Sequence, residues 1–168
     1  ATLLDNSATD KDVRLETINA GAINIGTITA NAAADVVLDA AGAITSVDAD
    51  DDTADVTASL LTIEAATSVG AAGNTLDLDV TTSNITADGD VYFDVVGTGG
   101  HAATIDLSTG NIEIDGRNTA NTGGYEAITL TDVDTDDGTV AVYNYDNPIT
   151  ATLLDNSATD KDVRLETI

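Results

Sequence analysis

The stretch DVRLETINAGAINIGTITANAAADVVLDAAGAI, residues 12–44, determines the fold. Its opening phrase DVRLETINAGAI, which begins at Asp12, returns as DVVLDAAGAI from Asp35, 23 residues later. Within each phrase apolar and polar residues alternate, as around Val13 and Leu15, and this alternation is typical of a half-buried β-strand. Gly, Asn and Asp, which favour turns, separate the runs. The stretch predicts short strands joined by turns.

Similar runs recur along the chain at a longer period. After Asp35, further runs begin at Asp55, Thr75, Thr104, Ala127 and Asp162. The successive steps between these starts are 20, 20, 29, 23 and 35 residues. Steps of about 20 to 25 residues are the coil length of a β-solenoid. The two longest steps predict bulged loops or an extra coil. We therefore expect an all-β fold, a parallel β-helix or β-solenoid with about six to seven coils per 150 residues, stacked about 4.8 Å apart.

One stretch leaves an alternative fold open. The sequence YEAITLTDVDTDDGTVAVYN, residues 125–144, also fits a calcium-stabilised β-sandwich repeat. In that case the array would be a string of separate modules, whereas a solenoid would be a continuous rod.

The two ends of the chain are identical. Residues 1–18 and 151–168 both read ATLLDNSATDKDVRLETI, at an offset of 150 residues. We interpret residues 1–150 as one complete tandem repeat, and residues 151–168 as the first coil of the next repeat, continuous with the same stack. In that interpretation Val163 and Leu165 occupy the positions that Val13 and Leu15 hold one repeat earlier.

The composition restricts the interior and the chemistry. Phe93 is the only Phe, and Trp, Met and Cys are absent, so Val, Ile, Leu and Ala must fill the core. Without Cys the chain has neither disulfides nor thiolate metal sites. No segment approaches the roughly 20 apolar residues of a membrane span, so we expect no membrane insertion.

The charge is strongly acidic. The chain has 30 Asp and Glu against five Lys and Arg, which gives a net charge of −25. Such a chain repels nucleic acid and anionic membranes, so neither is expected as a partner. Divalent cations are efficient counterions for it. Solubility or adaptation to high salt is the simpler explanation of the same charge.

Two segments resemble the filamentous-haemagglutinin-like repeats of very large bacterial surface and secreted proteins. In that family a GDV-x-L-x-A-x-G-x-I coil is followed by an I-x-A-x-x-L-x-L-x-A-x-x-G-I-G coil. Asp35–Ile44 follow the first pattern in outline, and Leu61–Gly70 follow the second with Ser68-Val69-Gly70 in place of Gly-Ile-Gly. The resemblance covers roughly residues 12–115. It implies a right-handed parallel β-helix in an exported adhesin, sheath or fibre, and it carries no catalytic signature.

Two Asp-rich segments are candidate Ca²⁺ loops. Alternating Asp residues let carboxylates converge on one hard cation. Neither segment has the distal bidentate Glu of a helix-loop-helix site, and solvated turns are the alternative interpretation. The candidate ligands are Asp48, Asp50, Asp52 and Asp55 in DADDDTAD, and Asp132, Asp134, Asp136 and Asp137 in DVDTDDG.

Other polar residues give weaker signals. His101 is the only His, so a transition-metal site is not expected, and the surrounding GTGGHAAT predicts a loop histidine. The scattered tyrosines form no obvious sugar-binding strip. We expect Arg117, Lys11 and Arg14 to neutralise nearby Asp residues.

The sequence does not predict an enzyme. A polysaccharide lyase needs basic residues near its substrate, and a Ser-His-Asp arrangement needs a supporting motif that His101 lacks. An exactly duplicated unit adds length to a fibre but little to a single active site. We expect a structural repeat of an extracellular or cell-surface fibre, sheath or adhesin that associates with identical repeats. The alternative is a carbohydrate-binding or adhesive module of a calcium-dependent secreted adhesin, with cell-surface glycans as partners.

Overall fold

The computed structural model describes residues 3–7, 11–31, 33–48, 52–117, 126–157 and 161–168. Within these ranges the chain forms β-strands and no helix, so no helix there could cross a membrane. The strands are β1 (Leu4–Asn6), β2 (Val13–Glu16), β3 (Ile23–Ile25), β4 (Ile28–Ala30), β5 (Asp35–Ala40), β6 (Ile44–Ser46), β7 (Val56–Ala65), β8 (Leu76–Ala87), β9 (Val91–Val95), β10 (His101–Leu107), β11 (Ile112–Gly116), β12 (Ile128–Thr135), β13 (Val140–Asn144), β14 (Ile149–Ala151), β15 (Leu154–Asn156) and β16 (Val163–Thr167).

Parallel pairing arranges these strands in two long columns. The first column contains β1, β4, the start of β7, the start of β8, β9, β11, β13 and β16. The second column contains β2, β5, the end of β7, the end of β8, β10 and β12, and then β14 and β15 end to end. A short third column, β3 and β6, leads through Val69 to Val91, where it joins the first.

The columns make a parallel β-solenoid of about six turns, which confirms the predicted fold class. All pairings between the named strands are parallel, and the β-sandwich alternative is not needed. Parallel strands buried on one face stabilise each other only when stacked, because a single coil cannot cover its own apolar side chains.

The interior is built from the alternating residues that the sequence predicts. β5, for example, buries Val36, Leu38 and Ala40 and turns the residues between them outward. Phe93, the only Phe, is completely buried in β9. Small aliphatic side chains fill most of the rest of the core, as the composition requires.

The bend between the first and second columns is marked by two consecutive residues that are not buried. In β7 these are Ser59 and Leu60, and in β8 they are Thr81 and Thr82. Because side chains alternate strictly along a flat strand, this slip in the alternation turns the chain while the strand continues.

The predicted coil starts differ from the observed stacking. The runs at Asp35 and Thr104 lie in the second column, whereas those at Asp55 and Thr75 lead into the first. The longer predicted steps therefore need no extra coil, since they compare runs from different columns. Residues that stand above one another in the second column are Val13, Val36, Leu61, Ser83 and Ala103, at steps of 23, 25, 22 and 20.

Candidate functional site

The described Asp residues of the first predicted Ca²⁺ segment lie in different surroundings. Asp48 is exposed and Asp52 is half-buried, while Asp50 lies outside the described residues. Asp55 is buried, and its carboxylate accepts hydrogen bonds from Ser46 Oγ at 2.9 Å and from the backbone N–H of Asp77 at 3.0 Å. The Asp55 carboxylate thus ties two neighbouring coils together at the start of β7.

The second predicted Ca²⁺ segment is only partly a loop. Asp132 and Asp134 lie within β12, because the strand extends to Thr135, and only Asp136 and Asp137 lie in the turn that follows. In the described part of the chain no three His, Asp or Glu side chains are placed to hold a metal ion. Calcium binding stays a prediction.

A feature that the sequence did not reveal is a row of acidic side chains along the second column. One outward position on successive strands is acidic at six of the seven strands that share it, and we call this row the acidic ladder. From one end to the other it contains Glu16, Asp39, Glu64, Thr86, Asp106, Asp134 and Asp155. Neighbouring positions are one strand spacing apart, about 4.8 Å.

The acidic ladder is poorly neutralised. Arg14 pairs with Asp39 at 2.9 Å and with Glu16 at 3.3 Å at one end. Among the described residues no other ladder carboxylate has a basic side chain within ion-pair distance. Partial burial raises the pKa of Asp134, and the negative charges of Asp155, Asp136, Asp106 and Asp132 raise it further. The ladder therefore opposes the stacking that the core favours.

Removing charge from the ladder is expected to stabilise the protein. We expect Asp134→Asn to raise the free energy of unfolding by about 0.2 to 1 kcal/mol, because like charges directly opposite each other on neighbouring strands are destabilising. Thr86→Asp, which fills the one neutral position, should lower the free energy of unfolding by a similar amount. Urea unfolding at low ionic strength measures both, and 1 M NaCl should largely remove the difference. Destabilisation by Asp134→Asn would contradict this account of the ladder.

His101 lies in the core, so the prediction of a loop histidine is wrong. Its imidazole is 2% exposed at the start of β10. Nδ1 is 2.9 Å from the carbonyl oxygen of Val80, which can only accept, so Nδ1 carries the proton. Nε2 then accepts from Ser83 Oγ at 3.0 Å. The Phe93 ring, with its centroid 5.4 Å away, completes the apolar surroundings.

Burial lowers the pKa of His101 to about 4, although the hydrogen bond to Val80 opposes the shift. In the unfolded chain His101 has its ordinary pKa of 6.5, so it binds a proton as the pH falls below that value. In the folded chain it binds this proton only near pH 4. Stability from this residue is therefore lost as the pH falls from about 6.5 towards 4. Carboxylates titrate nearby, so the contribution must be measured against a His101 variant.

We expect the wild type to lose about 2 to 3 kcal/mol more stability than His101→Gln between pH 7 and pH 4.5. Urea unfolding at both pH values, for both proteins, gives this double difference and cancels the common titration of the carboxylates. Parallel pH dependences of the two proteins would show that His101 titrates normally in the fold.

The boundary between the two copies, at Thr150 and Ala151, is a further candidate site, and we call it the seam. β14, which crosses it, and β15, from the second copy, both pair with β12, and β16 pairs with β13. Backbone hydrogen bonds cross the contact, among them Thr152 N to Leu130 O at 2.8 Å and Ile168 N to Asn144 O at 3.0 Å. The second copy is thus joined to the first by the same parallel pairing that joins the other coils.

Basic and aromatic side chains accompany these backbone bonds. The guanidinium of Arg117 lies 4.4 Å from the ring centroid of Tyr143, and that of Arg164 lies 5.3 Å from the same ring. Arg117 also donates from Nε to Asp115 Oδ1 at 2.9 Å, which confirms its predicted role of neutralising an Asp. Stacking of arginines on an aromatic ring contributes on the order of 0.5 to 1 kcal/mol each at exposed sites.

A second set of contacts lies at the turn after β12. Asn156 Nδ2 donates to the carbonyl oxygen of Gly138 at 2.9 Å, and Lys161 Nζ is 3.6 Å from Asp137 Oδ1. The duplicated segment supplies two of the three basic residues of each repeat. It thus places basic side chains next to acidic ones at the place where one copy meets the next.

The second copy does not occupy the positions of the first, so that prediction is wrong. Val13, in β2, pairs with Val36 and begins the second column, whereas Val163, in β16, pairs with Val140 and ends the first column. Val163 and Leu165 are also exposed, at 46% and 42%, whereas Val13 is buried. The identical segments therefore stand on different sides of the solenoid.

Comparison with family models, with curated proteins and with solved structures finds no match to this chain. The parallel solenoid that the filamentous-haemagglutinin-like resemblance implies is present. Membership of that family stays a prediction, and functional arguments rest on the geometry alone.

Proposed function

We propose that this chain is a structural repeat of a long extracellular fibre, sheath or surface adhesin, and that its role is to provide length, stiffness and self-association. The observation that carries the proposal is the seam: an identical second copy begins on the last coils of the first through continuous parallel pairing. No linker separates the copies in the sequence.

Exposed apolar side chains on the outermost described coils support this role. Val163, Leu165 and Ile168 leave apolar surface uncovered at the end of β16, and Leu3 does so near the start of the chain. Open strand edges bind further strands, and here the duplicated sequence supplies a matching coil. Repeat stacks of this kind gain stability from each added neighbour, since every interior coil then has both faces covered.

The net charge affects how neighbouring fibres pack side by side. A net charge of −25 on 168 residues keeps neighbouring fibres apart unless cations screen it. We therefore extend the proposal to divalent cations, Ca²⁺ in particular, as counterions that regulate side-by-side contact. We assign no catalytic role to the repeat.

Arrays of one, two, four and eight repeats test the proposal. Small-angle X-ray scattering should show a constant cross-section and a length that grows by about 30 Å per repeat, which is about six strand spacings. The unfolding midpoint should rise with repeat number and then level off. Arrays that bend at each seam, or a midpoint independent of repeat number, would contradict a continuous fibre.

The same arrays separate the structural role from the alternative adhesive role. Binding of a single repeat to a defined glycan on an array of immobilised sugars would favour a carbohydrate-binding module. Association between arrays that rises on addition of CaCl₂ and reverses with chelator, without glycan binding, would favour the fibre.

A further inference from the structure

We infer that successive repeats join with their columns exchanged, so that each repeat is rotated about the solenoid axis relative to the one before it. This inference rests on the proposed stacking of repeats. The partner surface is the last turn of one copy, and its occupant is the first turn of the next copy. The chain contains one such contact, in which β14, β15 and β16 pair with β12 and β13.

The exchange follows from the positions of two pairs of identical strands. β1 begins the first column, but its copy β15 ends the second, on Val133, Asp134 and Thr135 of β12. β2 begins the second column, but its copy β16 ends the first, on β13. A repeat that was only translated along the axis would return each strand to its own column.

The cause of the exchange is β14. After β13 the chain returns to the second column, where Ile149, Thr150 and Ala151 pair with the start of β12. β12 has eight residues and accommodates both this short strand and β15. One repeat therefore contains its six turns and one additional strand, and the next copy begins one column further round.

The rotation redistributes the acidic ladder. Asp155 ends the ladder on the second column, yet Asp5, the same residue of the first copy, is followed in its own column by Thr29. Glu166, the copy of Glu16 that begins the ladder, stands over Tyr143 on the first column. Each ladder thus runs for about 30 Å, one repeat, and resumes on another side of the fibre. A fibre of such repeats has no continuous acidic face.

Cysteine pairs in the 168-residue chain test the exchange, because the natural chain contains no Cys. Arg164→Cys is combined either with Ala141→Cys, its observed neighbour, or with Asp132→Cys. Asp132 is the residue that Arg164 would face if β16 stood in the column of β2. Adjacent parallel strands place Cα atoms within the range that a disulfide spans. Under mild oxidation we expect the 141–164 disulfide in most molecules and the 132–164 disulfide in few.

Two further pairs keep the result interpretable. Thr62→Cys with Asn84→Cys, neighbours inside the stack, should crosslink in any folded chain. Asp134→Cys with Asp155→Cys should also crosslink and repeats the test without changing Arg164. A dominant 132–164 disulfide would overturn the exchange while leaving the stacking intact. If only the internal pair crosslinks, the seam does not stack, and both the exchange and the proposed fibre fail.

Discussion

Replacing Gly138 with alanine is expected to destabilise the protein by about 3 kcal/mol or more. Gly138 stands at the turn between β12 and β13, where a Cβ atom would overlap the carbonyl oxygen of Gly110 in the neighbouring turn. That oxygen belongs to the backbone, and it also accepts a hydrogen bond from Thr135 Oγ1 at 2.9 Å. The backbone of two coils would have to separate to admit one methyl group.

The same turn shows why small residues recur there. A Cβ on Gly110, whose φ is 117°, would lie 2.6 Å from the carbonyl carbon of Gly89, which lies in the preceding turn of the solenoid. Gly89, Gly110 and Gly138 thus form a stack in which backbones approach closely.

Gly99→Ala is the matched control for Gly138→Ala. Nothing lies within 4 Å of a Cβ at Gly99, so the control should change stability by less than about 1 kcal/mol and can even be stabilising. Urea unfolding of the two variants measures the contrast. Equal stability of both would show that the turns are not stacked as described.

Replacing Phe93 with alanine is expected to cost about 3 to 5 kcal/mol. Phe93 is completely buried and is the largest side chain in a core of small aliphatic residues. It also occupies a junction, because β9 pairs with β8 on one side and with β11 on the other. Neighbouring coils are held at a fixed spacing by backbone hydrogen bonds, so they cannot collapse into the cavity.

Two controls separate cavity formation from general damage. Phe93→Leu keeps most of the volume and should cost less than about 1.5 kcal/mol. Tyr92→Ala removes an aromatic ring from the half-buried outward side of the same strand and should cost less than Phe93→Ala. A small loss in Phe93→Ala, comparable with Tyr92→Ala, would contradict the burial of Phe93.

The alternation of apolar residues predicts a strand and its inward face at each recurring run, but it does not predict short strands such as β1 and β15. The spacing around Val13 and Leu15, for example, predicts inward positions; Val13 is buried and Leu15 packs against the core. The period did not give the columns, because a strand such as β7 passes from one column to the next without a turn signal. Only the slip in alternation at Ser59 and Leu60 marks that bend.

The candidate sites were less predictable, because they depend on which turns become neighbours. His101 sits among glycines in sequence, but its partners Val80 and Ser83 come from the preceding turn. The acidic ladder is likewise spread over the whole chain, with one residue from each turn, so no local run of Asp announces it. The Asp-rich segments that do stand out locally include Asp55, whose buried carboxylate joins coils.

Fibre diffraction from an oriented array of repeats tests the central claim most directly, that one solenoid continues through every seam. A continuous solenoid predicts a strong meridional reflection near 4.8 Å along the fibre axis, together with an axial spacing of about 30 Å per repeat. Beads of separate domains, with no meridional 4.8 Å reflection and an axial period set by domain size, would contradict it.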